Sequence, residues 1–412
     1  MTSDLPAGWR RGNIRRFATM KTGHTPSRSK SEYWEDVSIP WFTLADVWQL
    51  RDGRQVYLGD TASRISELGL ANSAAELLPA GTVVLSRTAS VGFSGVMPTS
   101  MATSQDFWNW VCGPDLLPEY LNYQFKAIAP QLRAMNMGST HQTIYQRDAA
   151  SIEVLVPPVD EQRAIADYLD RETGRIDTLI DEQQLLVAML RERHEATVSE
   201  ALSGPEPVRL RRLVDPERPM TYGILQCGEP VPDGVPYIGP SDMPGRGQSP
   251  ALNSLRRTTE EIAAVYKRSV LSGGDIVVSI GPAYGKVALI EADLDGANLT
   301  QDTVRVAALP NLVDSRYLVW VLLSREVSLY WDVEIMGATF RRLNLGTLAR
   351  TPIPLPPIDE QRRIVAYLDE QAAKIDALIA ETEVFIELSR ERRSALITAA
   401  VTGQIDVCSE VA

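Results

Sequence analysis

The chain contains one long segment twice. Val156-Pro157-Pro158-Val159-Asp160-Glu161-Gln162-Arg163 returns as Leu355-Pro356-Pro357-Ile358-Asp359-Glu360-Gln361-Arg362, and the match runs without a gap to Gly204 and Gly403. Ile165/Ile364, Tyr168/Tyr367, Leu169/Leu368, Asp170/Asp369, Ile176/Ile375, Asp177/Asp376 and Ile180/Ile379 are identical pairs. Two copies this far apart are too few for a stacked solenoid. They imply two similar halves related by a pseudo-two-fold, and hence a protein able to touch two similar places at a set separation.

Each copy reads as a long amphipathic helix. Leu169, Ile176, Leu179, Leu186 and Leu190 fall on one stripe of the first copy; Leu368, Ile375, Leu378, Phe385 and Leu396 do so in the second. The proline pairs cannot easily continue a helix backwards. Asp160 and Asp359 are suited to cap the free N–H groups, and Gly204 and Gly403 to close the helices in the left-handed conformation. From Asp160 to Leu202 the helix would extend roughly 60 Å at about 1.5 Å per residue. One such helix cannot hide its own stripe, but two on one chain can hide each other's. The expectation is an antiparallel two-helix coiled coil.

The segments before each copy have Gly/Pro punctuation and short β-rich runs: residues 82–86, 106–111, 275–279, 287–290 and 303–306. These too are distantly repeated. Gly81-Thr82-Val83-Val84-Leu85-Ser86 parallels Gly274-Asp275-Ile276-Val277-Val278-Ser279, Ser104-Gln105-Asp106 parallels Thr300-Gln301-Asp302, and Tyr120-Leu121 parallels Tyr317-Leu318. The fold class expected is α+β: two similar mixed α/β domains separated by the antiparallel coil. The expected division is 1–152, 153–204, 205–352 and 353–412, globular and helical segments in alternation.

The chain has 412 residues and a net charge of −12, which looks wrong for a nucleic-acid binder until its distribution is considered. Residues 153–204 carry 5 basic and 12 acidic side chains, and residues 353–412 carry 6 and 11. Residues 1–152 carry 14 and 13, and residues 205–352 carry 16 and 17. The acidity therefore sits in the repeated helices, and the Arg-containing globular parts are near neutral. No apolar run approaches a membrane span, and the polar, basic start lacks the apolar stretch of a secretory signal. Cys112, Cys227 and Cys408 are scattered and odd in number, as expected of a reducing cytoplasm.

Motifs for chemistry are missing. Three histidines (His24, His141, His194) and the cysteines form no metal-ligand spacing, and no metal site is expected. Gly281-Pro282-Ala283-Tyr284-Gly285-Lys286-Val287 is one residue short of a phosphate loop and lacks the following Ser/Thr; a strand-to-strand turn explains it better. No catalytic residue is assigned. What remains is polar and cationic loop chemistry suited to phosphates and base edges. The candidates for DNA contact are Thr25, Ser27, Arg28, Lys30, Arg87, Thr88, Ser139, Thr140, His141 and Gln142 in the first half. In the second they are Arg246, Arg256, Arg257, Lys286, Arg341 and Arg342.

The pattern Pro-Pro-[Val/Ile]-Asp-Glu-Gln-Arg-x-Ile-x-x-Tyr-Leu-Asp, then Ile-Asp-x-Leu-Ile, used twice, resembles the DNA specificity subunits of type I restriction–modification systems. Thr22-Gly23-His24-Thr25-Pro26-Ser27-Arg28, followed by Tyr33-Trp34 and Ile39-Pro40-Trp41, resembles the start of a target-recognition domain in that family, with His24 where Gly is usual. The second half lacks that loop and has Thr221-Tyr222-Gly223-Ile224 instead. The resemblance implies two target-recognition domains reading the parts of a bipartite double-stranded DNA site, with the coil fixing the unread spacer. It implies two modification subunits docked on the helical regions, for which Glu161, Gln162, Tyr168, Glu360, Gln361 and Tyr367 are the candidate contacts. S-adenosylmethionine would belong to those partners, which methylate adenine N6. ATP and Mg would belong to a restriction subunit where one is present. This chain would need no cofactor of its own and no membrane. Two other readings compete. A DNA-modifying enzyme would need an Asn-Pro-Pro-[Tyr/Phe] motif, which is absent. A protein-only coiled-coil scaffold would not need β-rich, Arg-containing domains.

Overall fold

The computed structural model describes residues 5–134, 143–281, 283–336 and 342–407. The chain forms two compact units: residues 1–185 with 383–412, and residues 186–382.

In the first unit β1 (Arg10–Asn13) pairs antiparallel with β9 (Glu153–Val156). A four-stranded antiparallel sheet runs in the order β2 (Ala18–Thr22), β8 (Phe107–Cys112), β5 (Val83–Ser86), β6 (Ser94–Val96). A three-stranded sheet has β3 (Ile39–Phe42) at its centre, antiparallel to β4 (Ser63–Ile65) and parallel to β7 (Ala102–Thr103). β5 shows why the sequence reads as an unbroken apolar run there. Val83 and Leu85 enter the cluster under the Pro118–Ala134 helix, while Val84 enters the opposite cluster with Phe42 and Phe107. A strand buried on both faces has no polar side to alternate with.

The second unit repeats this strand for strand. β10 (Val208–Arg209) pairs with β18 (Pro352–Ile353). The four-stranded sheet is β11 (Thr221–Tyr222), β17 (Thr303–Val306), β14 (Ile276–Ser279), β15 (Val287–Leu289). β12 (Val235–Ile238) lies antiparallel to β13 (Arg257–Thr258) and parallel to β16 (Asn298–Leu299). Ile276 and Val278 face one core cluster and Val277 the other, as in the first unit. Gly285 and Lys286 lie in the turn between β14 and β15, where Ser279 Oγ accepts from Lys286 N at 2.9 Å.

The repeated segments are helices of 44 residues, Val159–Leu202 (the central helix) and Ile358–Val401 (the C-terminal helix). In the first unit Ile165 and Leu169 share a cluster with Ile397, Ala400 and Val401, and Ile176 and Ile180 pack on Ile386. In the second, Val187 packs on Ile375 and Ile379, and Val198 and Leu202 join Leu368. Early residues of one helix thus meet late residues of the other within each unit, the antiparallel packing of a coiled coil.

Three expectations about these helices need correction. Leu186, Leu378 and Phe385 are exposed, and the seam uses Val187, Ile379 and Ile386, one position further on. Two apolar residues adjoin in each of those heptads, so the period alone does not choose between them; the facing helix does. Asp160 and Asp359 lie inside the first turn as exposed carboxylates 3.6 Å from Arg163 and Arg362, and do not cap it. Gly403 has φ +70° and takes part in a Schellman closure, with Gly403 N to Ala400 O at 3.3 Å and Gln404 N to Ala399 O at 2.9 Å. Gly204 is not left-handed, and Ser203 N instead ends the first helix on Glu200 O at 3.2 Å.

Candidate nucleic-acid interface

Gln162 and Gln361 are fully buried. Gln162 Oε1 accepts from Leu117 N at 2.8 Å, and its Nε2 donates to Asp115 O and Pro157 O, both at 2.8 Å. Gln361 repeats this with Asp314 N at 2.8 Å, Leu312 O at 3.1 Å and Pro356 O at 2.8 Å. Their candidacy as partner contacts is therefore corrected: an amide fully buried, with both its N–H groups and its oxygen bonded inside the chain, offers a partner nothing. Glu161 accepts from Trp9 Nε1 at 2.9 Å, and Tyr168 is half-buried against the first core. Glu360 and Tyr367 are exposed, and line a cavity of about 410 Å³ with Thr197, Glu200 and Arg363.

In the first unit the chain leaves β2 through Gly23. A Cβ there would lie 2.1 Å from Thr103 O, so only glycine lets the loop cross β7, and His24 N bonds that same carbonyl at 3.0 Å. The crossing sets Thr25 Oγ1 on Gln105 Oε1 at 2.7 Å. Thr25, Arg28, Trp41, Thr43, Ser104 and Gln105 line a shallow cavity of about 440 Å³. Arg28 is exposed, with its guanidinium 5.5 Å from the Trp34 ring centre. Trp34 is held by Ser27 O at 3.2 Å and meets Trp41 edge-on at 5.4 Å. Ser27 bonds Ser29 at 2.9 Å. Lys30 lies over Tyr33 and donates to its hydroxyl at 3.1 Å, a hydrogen bond that holds the ammonium above the usual lysine range. Arg87 stacks on Trp108 at 4.3 Å; burial pulls it below the usual arginine range, and its Nε has no partner among the described residues. Thr88 bridges to Thr143. Ser139, Thr140, His141 and Gln142 lie outside the described residues.

The second unit opens the same way with a different loop. A Cβ on Gly223 would lie 1.9 Å from Leu299 O, and Ile224 N bonds that carbonyl at 2.7 Å. Its cations are engaged differently. Arg342 Nη2 reaches Asp302 at 2.8 Å and Gln301 O at 3.2 Å. Arg256 lies over Tyr237 at 5.3 Å and 3.4 Å from Asp242. Arg257 donates to Gly234 O at 2.9 Å, and Lys286 Nζ to Pro240 O at 2.9 Å. Arg246, in the left-handed region at φ +51°, pairs with Asp376 of the C-terminal helix at 2.5 Å. Arg341 lies outside the described residues.

The structure thus gathers Thr25, Arg28 and the Ser104-Gln105-Asp106 landmark at one end of the first unit. Arg342 is gathered with Gln301 and Asp302 in the second. The candidates included Thr25, Ser27 and Thr88 as well as the cations, but not Gln105, Trp34 or Trp41. They also left out Trp48, 64% exposed on the Leu44–Leu50 turn beside that cavity's Leu44 and Ala45. The repeated Ser/Thr-Gln-Asp triplet was the signal that could have flagged Gln105.

A family model described as the type I restriction modification DNA specificity domain matches residues 6–185 and 230–387. The EcoBI specificity subunit of a type I restriction enzyme from Escherichia coli is 25% identical over 65% of this chain and 62% of its own length. The MjaVIII specificity subunit from Methanocaldococcus jannaschii is 22% identical over 70% of each chain. Among curated relatives the match thus spans about 62% of the first and 42% of the MjaIX subunit, another from that archaeon. A solved structure described as the basis of complex assembly and conformational transition of the type I R-M system covers 98% of this chain and 100% of its own, with TM-score 0.79 and 18% identity. The HsdS subunit from Thermoanaerobacter tengcongensis covers 98% and 99%, with TM-score 0.59 and 18% identity. These two show the likeness of fold.

Proposed function

The chain belongs to the type I restriction–modification DNA specificity family, and from that premise we propose that it is the non-catalytic reader of a bipartite double-stranded DNA site. One globular part reads each half-site. The paired helices hold the two readers apart and so exclude sites with the wrong number of intervening base pairs, at ~3.4 Å per base pair. Modification subunits dock on the helical surfaces, where Glu360 and Tyr367 are exposed, and bring S-adenosylmethionine for methylation of adenine N6. A restriction subunit, in a system that carries one, adds the ATP- and Mg-dependent step. The assembly works in the cytoplasm; no helix among the described residues is long and apolar enough to cross a membrane.

The observation that carries this reading is the strand-for-strand duplication. Two units keep the same nine-strand order and the same loop-crossing glycine, while the residues around the Gln105 and Gln301 landmarks differ. That is what two readers of different base sequences on one scaffold require. The test is to map methylated adenines in cells carrying the chain with its modification partner. A two-part motif with one spacer length is expected. A continuous motif refutes the bipartite reading, and no new methylation together with no enrichment from a random duplex library supports the protein-only scaffold instead.

A further inference from the structure

Each globular part is tied to the long helices by side chains at identical repeat positions. The first tie is the buried glutamine. Its acceptor and two donors reach three backbone pieces: the turn before its own helix, and two points on the loop that leads into a helix of the globular part (Pro118–Ala134 or Ser315–Leu323). Three hydrogen bonds that do not lie on one line restrain rotation as well as translation. The second tie is the aspartate two turns after the start of the shared stripe. Asp177 takes Arg393 of the C-terminal helix at 2.9 Å and, at 3.8 Å, Arg54 from a loop of the first globular part, whose two terminal nitrogens bond Asp181 one turn further on at 2.7 Å. Asp376 takes Arg246, from a loop of the second globular part. Between them, Asp170 accepts from the Tyr123 hydroxyl, and Asp369 from Trp320 Nε1 at 2.9 Å and Arg316 at 3.0 Å. The glutamine bonds repeat atom for atom, and the aspartates keep their places on the helices while the partners they take differ between the units.

We propose that Gln162 and Gln361, assisted by Asp177 and Asp376, are positioning residues that set the pose of each recognition domain on the helices, and thereby the spacer length the protein accepts. This rests on the bipartite reading and adds to it. A glutamine used only to start a helix would need one bond to the first turn. Here two of the three bonds go to the globular part, and nothing in helix formation requires them. Asparagine is one methylene too short to span the same three atoms. Glutamate keeps the length and the bond from Leu117 N or Asp314 N but loses both donors, leaving two carbonyls unpaired.

The test uses the full chain with its modification partner and a duplex library in which both half-sites and the spacer vary. Parent, Gln162→Glu, Gln361→Glu and Asp376→Asn chains are each taken through selection and sequencing, with thermal unfolding measured alongside. The expected result is unchanged half-site bases and a preference for the parental spacer over its neighbours that falls by about tenfold in the glutamine variants. A narrower loss of preference is expected in Asp376→Asn. Glutamine variants that unfold at lower temperature yet keep the parental spacer preference overturn the proposal, because a merely structural role predicts that result. If they do not fold, Asp376→Asn decides. Its ion pair is largely exposed, with side chains 68% and 44% accessible, so the fold survives its loss, and an unaltered spacer distribution overturns the proposal. A parent chain that selects no two-part motif refutes the bipartite reading itself.

Discussion

In the first unit Arg28, Lys30 and Arg87 lie against the rings of Trp34, Tyr33 and Trp108. In the second, Arg342 and Arg246 are held by Asp302 and Asp376, and Arg256 lies over Tyr237 as well as 3.4 Å from Asp242. A guanidinium on an aromatic face keeps its N–H edge available to a phosphate or a base. One in an ion pair must first give up its carboxylate. The same sheet order therefore presents a more available positive charge in the first unit and a neutralised one in the second. The lesson is that this scaffold constrains where a loop leaves the sheet and leaves free how the loop's charge is balanced.

The largest expected effect tests what the units share. Gly23→Ala and Gly223→Ala each drive a Cβ into a backbone carbonyl, and each should cost roughly 1–3 kcal/mol or more. Thermal unfolding checks this, and a glycine that tolerates alanine breaks the equivalence of the two loop crossings. The next effect separates the units. Arg28→Ala should weaken DNA binding by the assembled complex about tenfold and lower the salt slope by about one. Arg342→Ala should cost less, the difference being at most the roughly 1 kcal/mol, about fivefold, needed to draw Arg342 off Asp302 before it can meet a phosphate. Equal losses from the two, in titrations across a salt series, would end the electrostatic contrast. Asp302→Asn sharpens it from the other side: freeing Arg342 should strengthen binding to random duplex and steepen its salt dependence.

The smallest effect concerns Lys126, which occupies in the first unit the place Leu323 takes in the second. Its Nζ donates to Gly53 O at 2.8 Å and Gln55 O at 3.0 Å, and burial, with Arg393 nearby, lowers it from the ordinary lysine value to about 8. The unfolded chain therefore binds this proton more tightly than the folded one. Wild-type stability should rise as pH climbs from about 8 toward the ordinary lysine value. Lys126→Met should lack that rise, and denaturant midpoints across this window compare the two.

Much of the architecture could be read in advance. The duplicated Pro-Pro-x-Asp-Glu-Gln-Arg segment located both long helices to within a residue at their starts, and the apolar runs located β5, β8, β14, β15 and β17. The candidate site was less legible. Arg246, Lys286 and the buried glutamines carry residue types that suit DNA or a partner, yet their hydrogen bonds close within the chain. Side-chain type states what a group can bond; only the fold states what lies within reach. The seam failed for a related reason, since Leu186-Val187 and Phe385-Ile386 offer two apolar choices to one partner.

What the sequence determined by itself was therefore the repetition: two helices long enough to need each other, and two β-rich parts with the same landmarks in the same order. These are local properties, written in spacing and in the conformational limits of proline and glycine. What tertiary structure alone decided was the use of each polar group. It placed Gln162 and Gln361 on three carbonyl and amide partners each, turned Arg246 toward a helix, and left Arg28 on a ring. Those outcomes depend on which distant backbone atoms come within about 3 Å, a distance that no one-dimensional pattern contains.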